Sequence, residues 1–248
     1  MRQGDIHTAI AAVGYTPQGA IRGKEIMRRS VATIGSGLLA LMLSLLAGCG
    51  PNPDRCRTDK ALLEDNFNDT ACGWDEYEED QASAGYRGSE YFVAVHQPNT
   101  SAVAIPGANF SNVSIQAEVR LEQGSTDNNF GLLCRYQDLD SFYAFLVSSD
   151  GYYAIASITN GGPYKILSGD GTHLMPSEAI QTEPGTSNEI HAVCAGTSLT
   201  LYVNGQQLTS VTDSAIGFGK VGMIVGAGKD PPAHVAFDNV LVWLDRGE

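Results

Sequence analysis

Aromatic and polar side chains that could hold a sugar are concentrated between residues 135 and 153. They are Arg135, Tyr136, Asp138, Tyr143, Tyr152 and Tyr153. A sugar ring presents apolar C–H patches beside its hydroxyls, and aromatic faces flanked by a few polar groups suit that surface. Neighbouring residues of a strand point to opposite faces, so at least half of these tyrosines belong to a core. The others predict a carbohydrate-binding face.

Cys49 is a further residue with distinctive chemistry. Arg28 and Arg29 precede an uncharged run from Ser30 to Gly48 that ends in small residues before the cysteine. This arrangement resembles a bacterial lipobox, which implies a cleaved signal peptide, a diacylated Cys49 and a domain anchored to the extracytoplasmic face of the cell membrane. The strongly apolar part, Leu38 to Leu46, is shorter than the roughly 20 residues that a membrane-spanning helix needs.

The chain then divides into four parts. Residues 27–48 are predicted to be the lipoprotein signal peptide, residues 49–61 the lipidated cysteine and a proline-containing tether, and residues 62–246 one globular domain. Residues 1–26 do not suit a signal peptide, which should begin near its arginines. We expect them to be a wrongly assigned extension, with translation starting at Met27.

Four further cysteines suggest two disulfides in an oxidising compartment. Three pairings are possible. We favour Cys56 with Cys72, which flank the start of the domain, and Cys134 with Cys194, which each lie in a strand-like run. No Cys-x-x-Cys or Cys/His spacing indicates zinc.

The chain is strongly acidic, with 28 aspartates and glutamates against 15 lysines and arginines and a formal net charge of −13. Such a surface repels phosphates, so nucleic acid is excluded as a partner. Asp75, Glu76, Glu78, Glu79 and Asp80 form the densest acidic cluster, and like-charge runs of this kind usually lie in water.

The elements that would position these residues are short strands. Val113 to Leu121 alternates apolar and polar residues as a half-buried antiparallel strand does. Asp150-Gly151 and Asn204-Gly205 each separate two apolar runs and predict type I′ hairpins. About ten to twelve strands, a long loop over 168–188 and no helical periodicity predict an all-β antiparallel sandwich or jelly roll.

Several segments together carry a family resemblance. They are Phe130 to Asp138, Phe142 to Phe145, Ser149 to Tyr153, Leu201 to Gly205 and Phe237 to Val240. The chain resembles the concanavalin A-like lectin and glucanase jelly rolls over about residues 62–244, and within them the laminin-G-like and 3-keto-disaccharide hydrolase-like branch found in bacterial lipoproteins. These motifs are turns and core aromatics, so they specify the fold better than the activity.

The resemblance implies a structural calcium ion where the first and last strands meet. Asp65, Asp69 and Asp238 would supply oxygen ligands. Related retaining glucanases carry alternate acids on one strand, but here Arg120 stands between Glu118 and Glu122 in place of the middle acid. We therefore predict no catalytic residues, and expect these glutamates to pair with Arg120 on a solvent face.

The sequence analysis thus predicts a lipid-anchored extracytoplasmic domain that recognises carbohydrate or a cell surface and carries out no reaction. One alternative is a glycoside hydrolase-like enzyme of the 3-keto-disaccharide hydrolase-like branch. Another is an adhesion module that binds a cell-surface protein.

Overall fold

The computed structural model describes residues 20–21, 56–107 and 109–245. Alternating apolar residues and frequent turn residues give these described residues 18 strands. The strands are β1 (Ala20–Ile21), β2 (Leu63–Asp65), β3 (Tyr77–Glu78), β4 (Ala82–Arg87), β5 (Glu90–Val95), β6 (Thr100–Ala104), β7 (Asn109–Phe110), β8 (Val113–Gly124), β9 (Asn128–Asp138), β10 (Ser141–Val147), β11 (Tyr152–Ile158), β12 (Lys165–Ile166), β13 (Met175–Pro176), β14 (Asn188–Ala195), β15 (Ser198–Val203), β16 (Gln206–Thr212), β17 (Gly219–Ala227) and β18 (Ala233–Leu244).

The strands form two sheets of nine. Sheet A has the order β1-β6-β17-β9-β10-β11-β12, with β7 added to β17 and β13 to β11. Sheet B has the order β16-β15-β14-β8-β18-β5-β4-β3, with β2 added to β18. All pairings are antiparallel except that of β1 with β6. The architecture is the predicted all-β jelly-roll sandwich, and no helix in the described part of the chain is long and apolar enough to cross a membrane.

The core lies between the two sheets and is built from the alternate residues that face inward. In β9 and β10 these include Phe130, Leu132, Tyr143 and Phe145, each at most 2% exposed. Burial of such side chains is the main source of stability for a sandwich that has no helices in its described part to cover its sheets.

The four cysteines of the domain form two disulfides, in the favoured pairing. Cys134 of sheet A is bonded to Cys194 of sheet B, so this disulfide crosses the core. Cys56 is bonded to Cys72 at the start of the domain. Phe67, Trp74 and Tyr91 pack beside the second disulfide, with ring centroids between 5.4 and 5.9 Å apart.

The structure differs from the sequence expectations in several places, and its 18 described strands exceed the ten to twelve predicted. Strand β6 was not predicted, because Ser101 and its neighbouring alanines have weak strand propensity. Only Gly151 of the Asp150-Gly151 pair has positive φ, so that connection is not type I′, whereas Asn204 and Gly205 both do. The loop predicted over 168–188 contains β13.

The predictions for the N-terminal region fall largely outside the described residues. The signal peptide at 27–48, the lipidated Cys49 and most of the tether are among these. Within the segment assigned to a wrongly placed extension, β1 pairs with β6. Translation from Met27 stays a prediction.

Candidate functional site

The outer face of sheet A, turned away from the core, carries a second apolar cluster. Register places Ile224 of β17 beside Val103 of β6, and Leu133 of β9 beside Ala144 of β10. Leu146 of β10 completes this group, which we call the apolar floor. Its five members are between 0 and 4% exposed. These aliphatic side chains are therefore already covered by their neighbours, and Leu139 and Tyr164 pack against the cluster.

One end of this face is polar. Register aligns Ser101 of β6, Gly226 of β17 and Asn129 of β9 across three neighbouring strands. We call these three residues the polar row. Ser101 is 5% and Asn129 2% exposed. Within the described part of the chain, neither the Ser101 Oγ nor the Asn129 Nδ2 has a hydrogen-bond partner.

Unpaired polar atoms in a buried position cost about 1–3 kcal/mol each. Two of them side by side therefore need an explanation, since buried side-chain polar atoms normally find partners. A ligand hydroxyl that accepts from Asn129 and donates to Ser101 would supply it. The polar row is thus the part of the molecule best suited to bind a hydroxylated ligand.

Glycines make room at this end of the face. A Cβ atom added to Gly226 would lie 2.8 Å from Asn129 Oδ1 and 3.0 Å from Ser101 Oγ. A Cβ added to Gly228 would lie 2.3 Å from Asp127 Oδ2. Hydrogen at both positions lets the Asn129 and Asp127 side chains lie over β17 and the residues that follow it.

Asp127 continues the polar end beyond Asn129. Its Oδ2 accepts a hydrogen bond from the Lys229 N–H at 3.0 Å, which leaves Oδ1 for another donor. On the other side of Asn129, Ser148 follows β10 and its hydroxyl donates to Asp150. Carboxylate, amide and hydroxyl groups of this kind are those that proteins use to fix sugar hydroxyls.

Tyr152 is the one predicted tyrosine that is both on the outer side and partly exposed. It begins β11, and its carbonyl accepts the Ser148 N–H at 2.8 Å, which sets it at the same end as the polar row. Its neighbour Tyr153 packs against the core and donates its hydroxyl to the Leu208 carbonyl at 3.1 Å. The predicted separation of these two tyrosines onto opposite faces is therefore what the structure has.

Tyr143 was predicted to face a ligand, and the structure corrects this. It is fully buried between the sheets, where its hydroxyl donates to Asp213 and accepts the Ile216 N–H at 3.1 Å. Burial, together with the hydrogen bond to Asp213, raises the pKa of Tyr143 to about 12. The alternation of β10 explains this position, because Tyr143 falls on the inward set of residues.

Arg135 is likewise structural. Its guanidinium donates to the carbonyls of Ser111, Ile216 and Gly196 at 3.1, 2.8 and 2.7 Å. The residue is 2% exposed and has a φ of 51°, which marks a bulge in β9. Burial lowers the pKa of Arg135. Its side chain donates to three backbone carbonyls of the protein itself.

The remaining predicted contacts lie at the far end of β9. Tyr136 is buried on the outer face beside Phe142, with ring centroids 6.0 Å apart. Asp138 Oδ1 accepts the Asp140 N–H at 2.8 Å in the exposed turn that follows. From Asn129 to Tyr136 the strand covers about 23 Å, so these residues and the polar row could contact the same ligand only if it were long.

The predicted calcium ligands lie near the start of the domain. Asp65 is buried and accepts hydrogen bonds from the Phe67 N–H at 2.8 Å and the Trp74 indole at 3.0 Å. Burial raises the pKa of Asp65, and the charges of Asp69 and Asp238 raise it further. The three carboxylates are thus neighbours.

Their oxygen atoms do not all lie within the distance at which three ligands could share one metal ion. In the described part of the chain, the only group of three metal-ligating residues within 4.8 Å is Cys56, Asp65 and Cys72, and its cysteines form a disulfide. Asp69 and Asp238 each accept a hydrogen bond from the backbone close by. Calcium at this position stays a prediction.

The outer face of sheet B carries a network of paired charges, and beside it the buried Nε2 of His191 has no hydrogen-bond partner among the described residues. Arg120 pairs with Glu90 at 2.9 Å and with Glu122 at 3.1 Å, and Arg87 also pairs with Glu122. Glu118 instead accepts from Asn239 at 3.3 Å. Pairing of Arg120 with Glu122 is as expected, whereas Glu118 has a different partner. Glu90 and Glu122 thus neutralise cations of their own sheet.

Histidines also lie away from the polar row. His96 and His234 face each other on the outer side of sheet B, with ring centroids 5.6 Å apart, and His96 Nε2 lies 3.2 Å from Ser83 Oγ. Burial lowers the pKa of His234, and His96 lowers it further. His173 pairs with Asp170 in an exposed loop at 2.7 Å.

Sequence reasoning missed Ser101, Asp127 and Asn129. Strand register brings Ser101 and Asn129 together, and 28 positions separate them in the chain. One signal was present: Gly226 and Gly228 interrupt an apolar run, and glycine within a strand indicates close approach of another group.

Comparisons with known proteins agree with this architecture. The carbohydrate-binding module CBM66 from Bacillus subtilis superposes with a TM-score of 0.53 at 15% identity, over 69% of this chain and 95% of that one. The Bacillus licheniformis β-glucanase gives a TM-score of 0.55 at 12% identity, over 77% and 100% of the two chains. These likenesses show the jelly-roll fold.

A curated relative covers less of the chain. A TPR repeat-containing protein of Treponema pallidum (strain Nichols) is 33% identical over 89 residues, which are 35% of this chain and 10% of that protein. The family comparison is broader, because the 3-keto-alpha-glucoside-1,2-lyase-like domain matches residues 63–242, from β2 to β18. This chain therefore belongs to the family of 3-keto-alpha-glucoside-1,2-lyase-like domains.

Proposed function

We propose that this protein is a carbohydrate-binding domain, held on the extracytoplasmic face of a membrane by a lipid on Cys49, and that it binds sugar at the polar row. The observation that carries the proposal is the pair of buried, unpartnered polar atoms of Ser101 and Asn129 within the described residues. A sugar hydroxyl can both donate and accept, so it matches such a pair.

The surroundings of the pair suit a sugar. Tyr152 offers a partly exposed aromatic ring at the same end of the sheet, and Asp127 adds a carboxylate acceptor. Proteins of the same fold include a carbohydrate-binding module and a glucanase, which supports carbohydrate as the ligand class. The acidic composition argues against an anionic polymer.

A glycan-array screen of the purified protein tests the proposal. We expect a selective signal that falls about fivefold in affinity for Ser101→Ala or Asn129→Ala, since one hydrogen bond to a ligand contributes about 1 kcal/mol. Gln116→Ala on the outer face of sheet B is the matched control and should bind like the parent. A blank array would contradict carbohydrate binding, and crosslinking to a cell-surface protein would then support the adhesion alternative.

Family membership favours a second candidate, elimination from a 3-keto-glucoside. That reaction needs a base at the sugar to remove the proton beside the keto group. Asp127 is a carboxylate beside the polar row, with one oxygen already engaged by Lys229 N–H. Release of aglycone from a 3-keto-glucoside that Asp127→Asn abolishes would establish the enzyme. Retention of the sugar without turnover would favour the binding domain.

A further inference from the structure

Two large apolar side chains are well exposed in the described part of the chain, Phe218 at 59% and Leu244 at 56%. Phe218 stands between Gly217 and Gly219 in the loop that leads into β17, and Leu244 is the last residue of β18. Trp243, which precedes Leu244, is partly exposed. Large apolar side chains in water are unfavourable, and a group of them marks a contact surface.

Hydrogen bonds place these side chains at the same end of the sandwich. The Arg135 guanidinium donates to the carbonyls of Ile216 and Ser111 at 2.8 and 3.1 Å. Ile216 stands two positions before Phe218. Ser111 lies just before β8, whose first residue pairs with Leu244. We call the following three residues the apolar end: Phe218, Trp243 and Leu244.

The polar row lies at the opposite end of the sandwich. Gly226, its member in β17, comes eight positions after Phe218. At about 3.3 Å per residue, this part of the strand covers about 26 Å. Ser101 and Asn129 lie beside Gly226 on the neighbouring strands. A surface that covers the apolar end therefore leaves the polar row open.

The described chain enters the domain close to the apolar end. The Leu62 N–H donates to the Val242 carbonyl at 2.7 Å, two positions before the end of β18. Cys56 is bonded to Cys72, whose Sγ lies 3.9 Å from the Glu64 carbonyl in β2. The disulfide thus fixes the start of the domain beside β2 and the last residues of β18.

Cys49, the predicted site of the lipid, precedes Cys56 by seven positions. Seven residues span at most about 25 Å, so a lipid on Cys49 keeps the apolar end within reach of the bilayer. The formal net charge of −13 gives no attraction to anionic lipids, and three side chains alone would bind a bilayer weakly. A short tether makes the contact intramolecular, at a high effective concentration.

We infer that the apolar end lies on the bilayer that holds the lipid of Cys49, with Phe218 and Leu244 in its interfacial region. This inference rests on the lipid anchor of the proposed function and adds an orientation to it. Trp243 suits the same depth, because tryptophan favours the headgroup level of a membrane. The polar row then points away from the bilayer, where glycans reach it freely.

Tryptophan fluorescence tests this orientation, because the chain has two tryptophans in different places. Trp243 belongs to the apolar end, whereas Trp74 is 3% exposed in the core. The full lipidated chain is reconstituted into phosphatidylcholine vesicles with and without bromine on the acyl chains. Bromine quenches tryptophan only at short range. We therefore expect brominated lipid to lower the emission of the parent and to leave that of Trp243→Phe unchanged.

Variants of the two exposed side chains locate the effect. Phe218→Ser combined with Leu244→Ser should remove most of the quenching and leave Tm unchanged, because neither side chain is packed in the core. Leu174→Ser is the matched control. Leu174 is partly exposed just before β13, which pairs with Tyr152 and Tyr153 at the end of the polar row. This control should be quenched like the parent.

The outcomes separate the inference from the proposed function. Intact-mass analysis of the same samples shows whether Cys49 carries the lipid, and a chain without it would overturn the anchor and the inference together. Lipidated protein whose Trp243 is not quenched would overturn the inference alone. If Trp243 were shielded from brominated lipid and from aqueous iodide alike, a protein partner or a second copy would cover this end, and the inference would again be wrong. The glycan array decides carbohydrate binding independently of these results.

Discussion

The outer faces of the two sheets differ in how their polar groups are satisfied. On sheet B, Arg120 pairs with Glu90 and Glu122, and Arg87 also pairs with Glu122. These opposite charges neutralise one another. On sheet A, Ser101 and Asn129 are buried without partners among the described residues, beside an apolar floor. Sheet B also has one such atom, because the Nε2 of His191 on its outer face is buried without a hydrogen-bond partner among the described residues. The unpaired atoms of Ser101 and Asn129 differ from that of His191 in lying side by side on neighbouring strands, and for this reason we propose the ligand site on sheet A.

This comparison reverses the usual search for a site by charged residues. Glu118, Arg120 and Glu122 attract attention in the sequence, yet their geometry is that of a solvent-exposed ion network. The hydroxyl and amide of the polar row carry no formal charge, so a search for charged residues in the sequence passes over them. Unmet hydrogen-bonding capacity is the better guide here.

The largest expected effect comes from separating the two sheets. Cys134→Ala with Cys194→Ala removes the disulfide that joins them and closes a loop with a sequence separation of 60. In the chain-entropy description this should lower the free energy of unfolding by about 4 kcal/mol. Urea denaturation checks it, with the Cys56→Ala, Cys72→Ala pair as a comparison that should cost about 3 kcal/mol. Equal losses would show that joining the sheets has no special weight.

The next effect concerns the acidic group at the start of the domain. If calcium binds Asp65, Asp69 and Asp238, a calcium concentration 100 times Kd should stabilise the protein by about 2.7 kcal/mol. EGTA should then lower Tm by several degrees in the parent and leave Asp238→Asn unchanged. An identical Tm with calcium and with EGTA would contradict a stabilising ion.

Two tyrosines sharpen the contrast between inward and outward residues. Tyr143→Phe should lower the free energy of unfolding by about 1–2 kcal/mol, because Asp213 and the Ile216 N–H lose their partner, and ligand affinity should not change. Tyr152→Ala should do the opposite and weaken glycan binding, with stability within about 0.5 kcal/mol of the parent. If Tyr143→Phe lost glycan binding while it was still fully folded, this assignment of Tyr143 to a structural role would be disproved.

The smallest effect belongs to the ion network of sheet B. Arg120 lowers the pKa of Glu90 from 4.5, so the folded state favours the ionised carboxylate. The resulting stabilisation is present above about pH 4.5 and is lost as pH falls through the lowered pKa. Arg120→Met should remove less than about 1 kcal/mol at pH 7 and flatten the pH dependence below 4.5. Thermal unfolding between pH 3 and 7 measures both, and sugar binding should stay as in the parent.

Much of the fold could be predicted from the sequence, because its signals are local. Asn204-Gly205 gives the positive φ values of its turn, and the alternation of Val113 to Leu121 marks a central strand. The cysteine pairing also followed from strand-like context. The prediction of a type I′ turn at Asp150-Gly151 was wrong because the connection between β10 and β11 is longer and also includes Ser148 and Ser149.

The site was harder to predict because it depends on register. Ser101, Asn129 and Gly226 come from three distant segments, and a shift of one residue in β17 would turn Gly226 toward the core. No local pattern encodes that alignment. Alternation along each strand places Tyr152 on the outer face and Tyr143 in the interior, whereas a bulge in β9 sets the position of Arg135.

Asn204 fixes more than its own turn. Its side chain donates to the carbonyl of Ala179 and to Asn188, and accepts the Glu189 N–H. These bonds tie the long segment before β14 to the β15–β16 hairpin, and that segment also pairs with Tyr152 through β13. The segment before β14, held in this way beside Tyr152, is ordered before any ligand binds. Binding then costs little conformational entropy, so association should be fast and hydrogen exchange over residues 175–188 should be nearly the same with and without sugar.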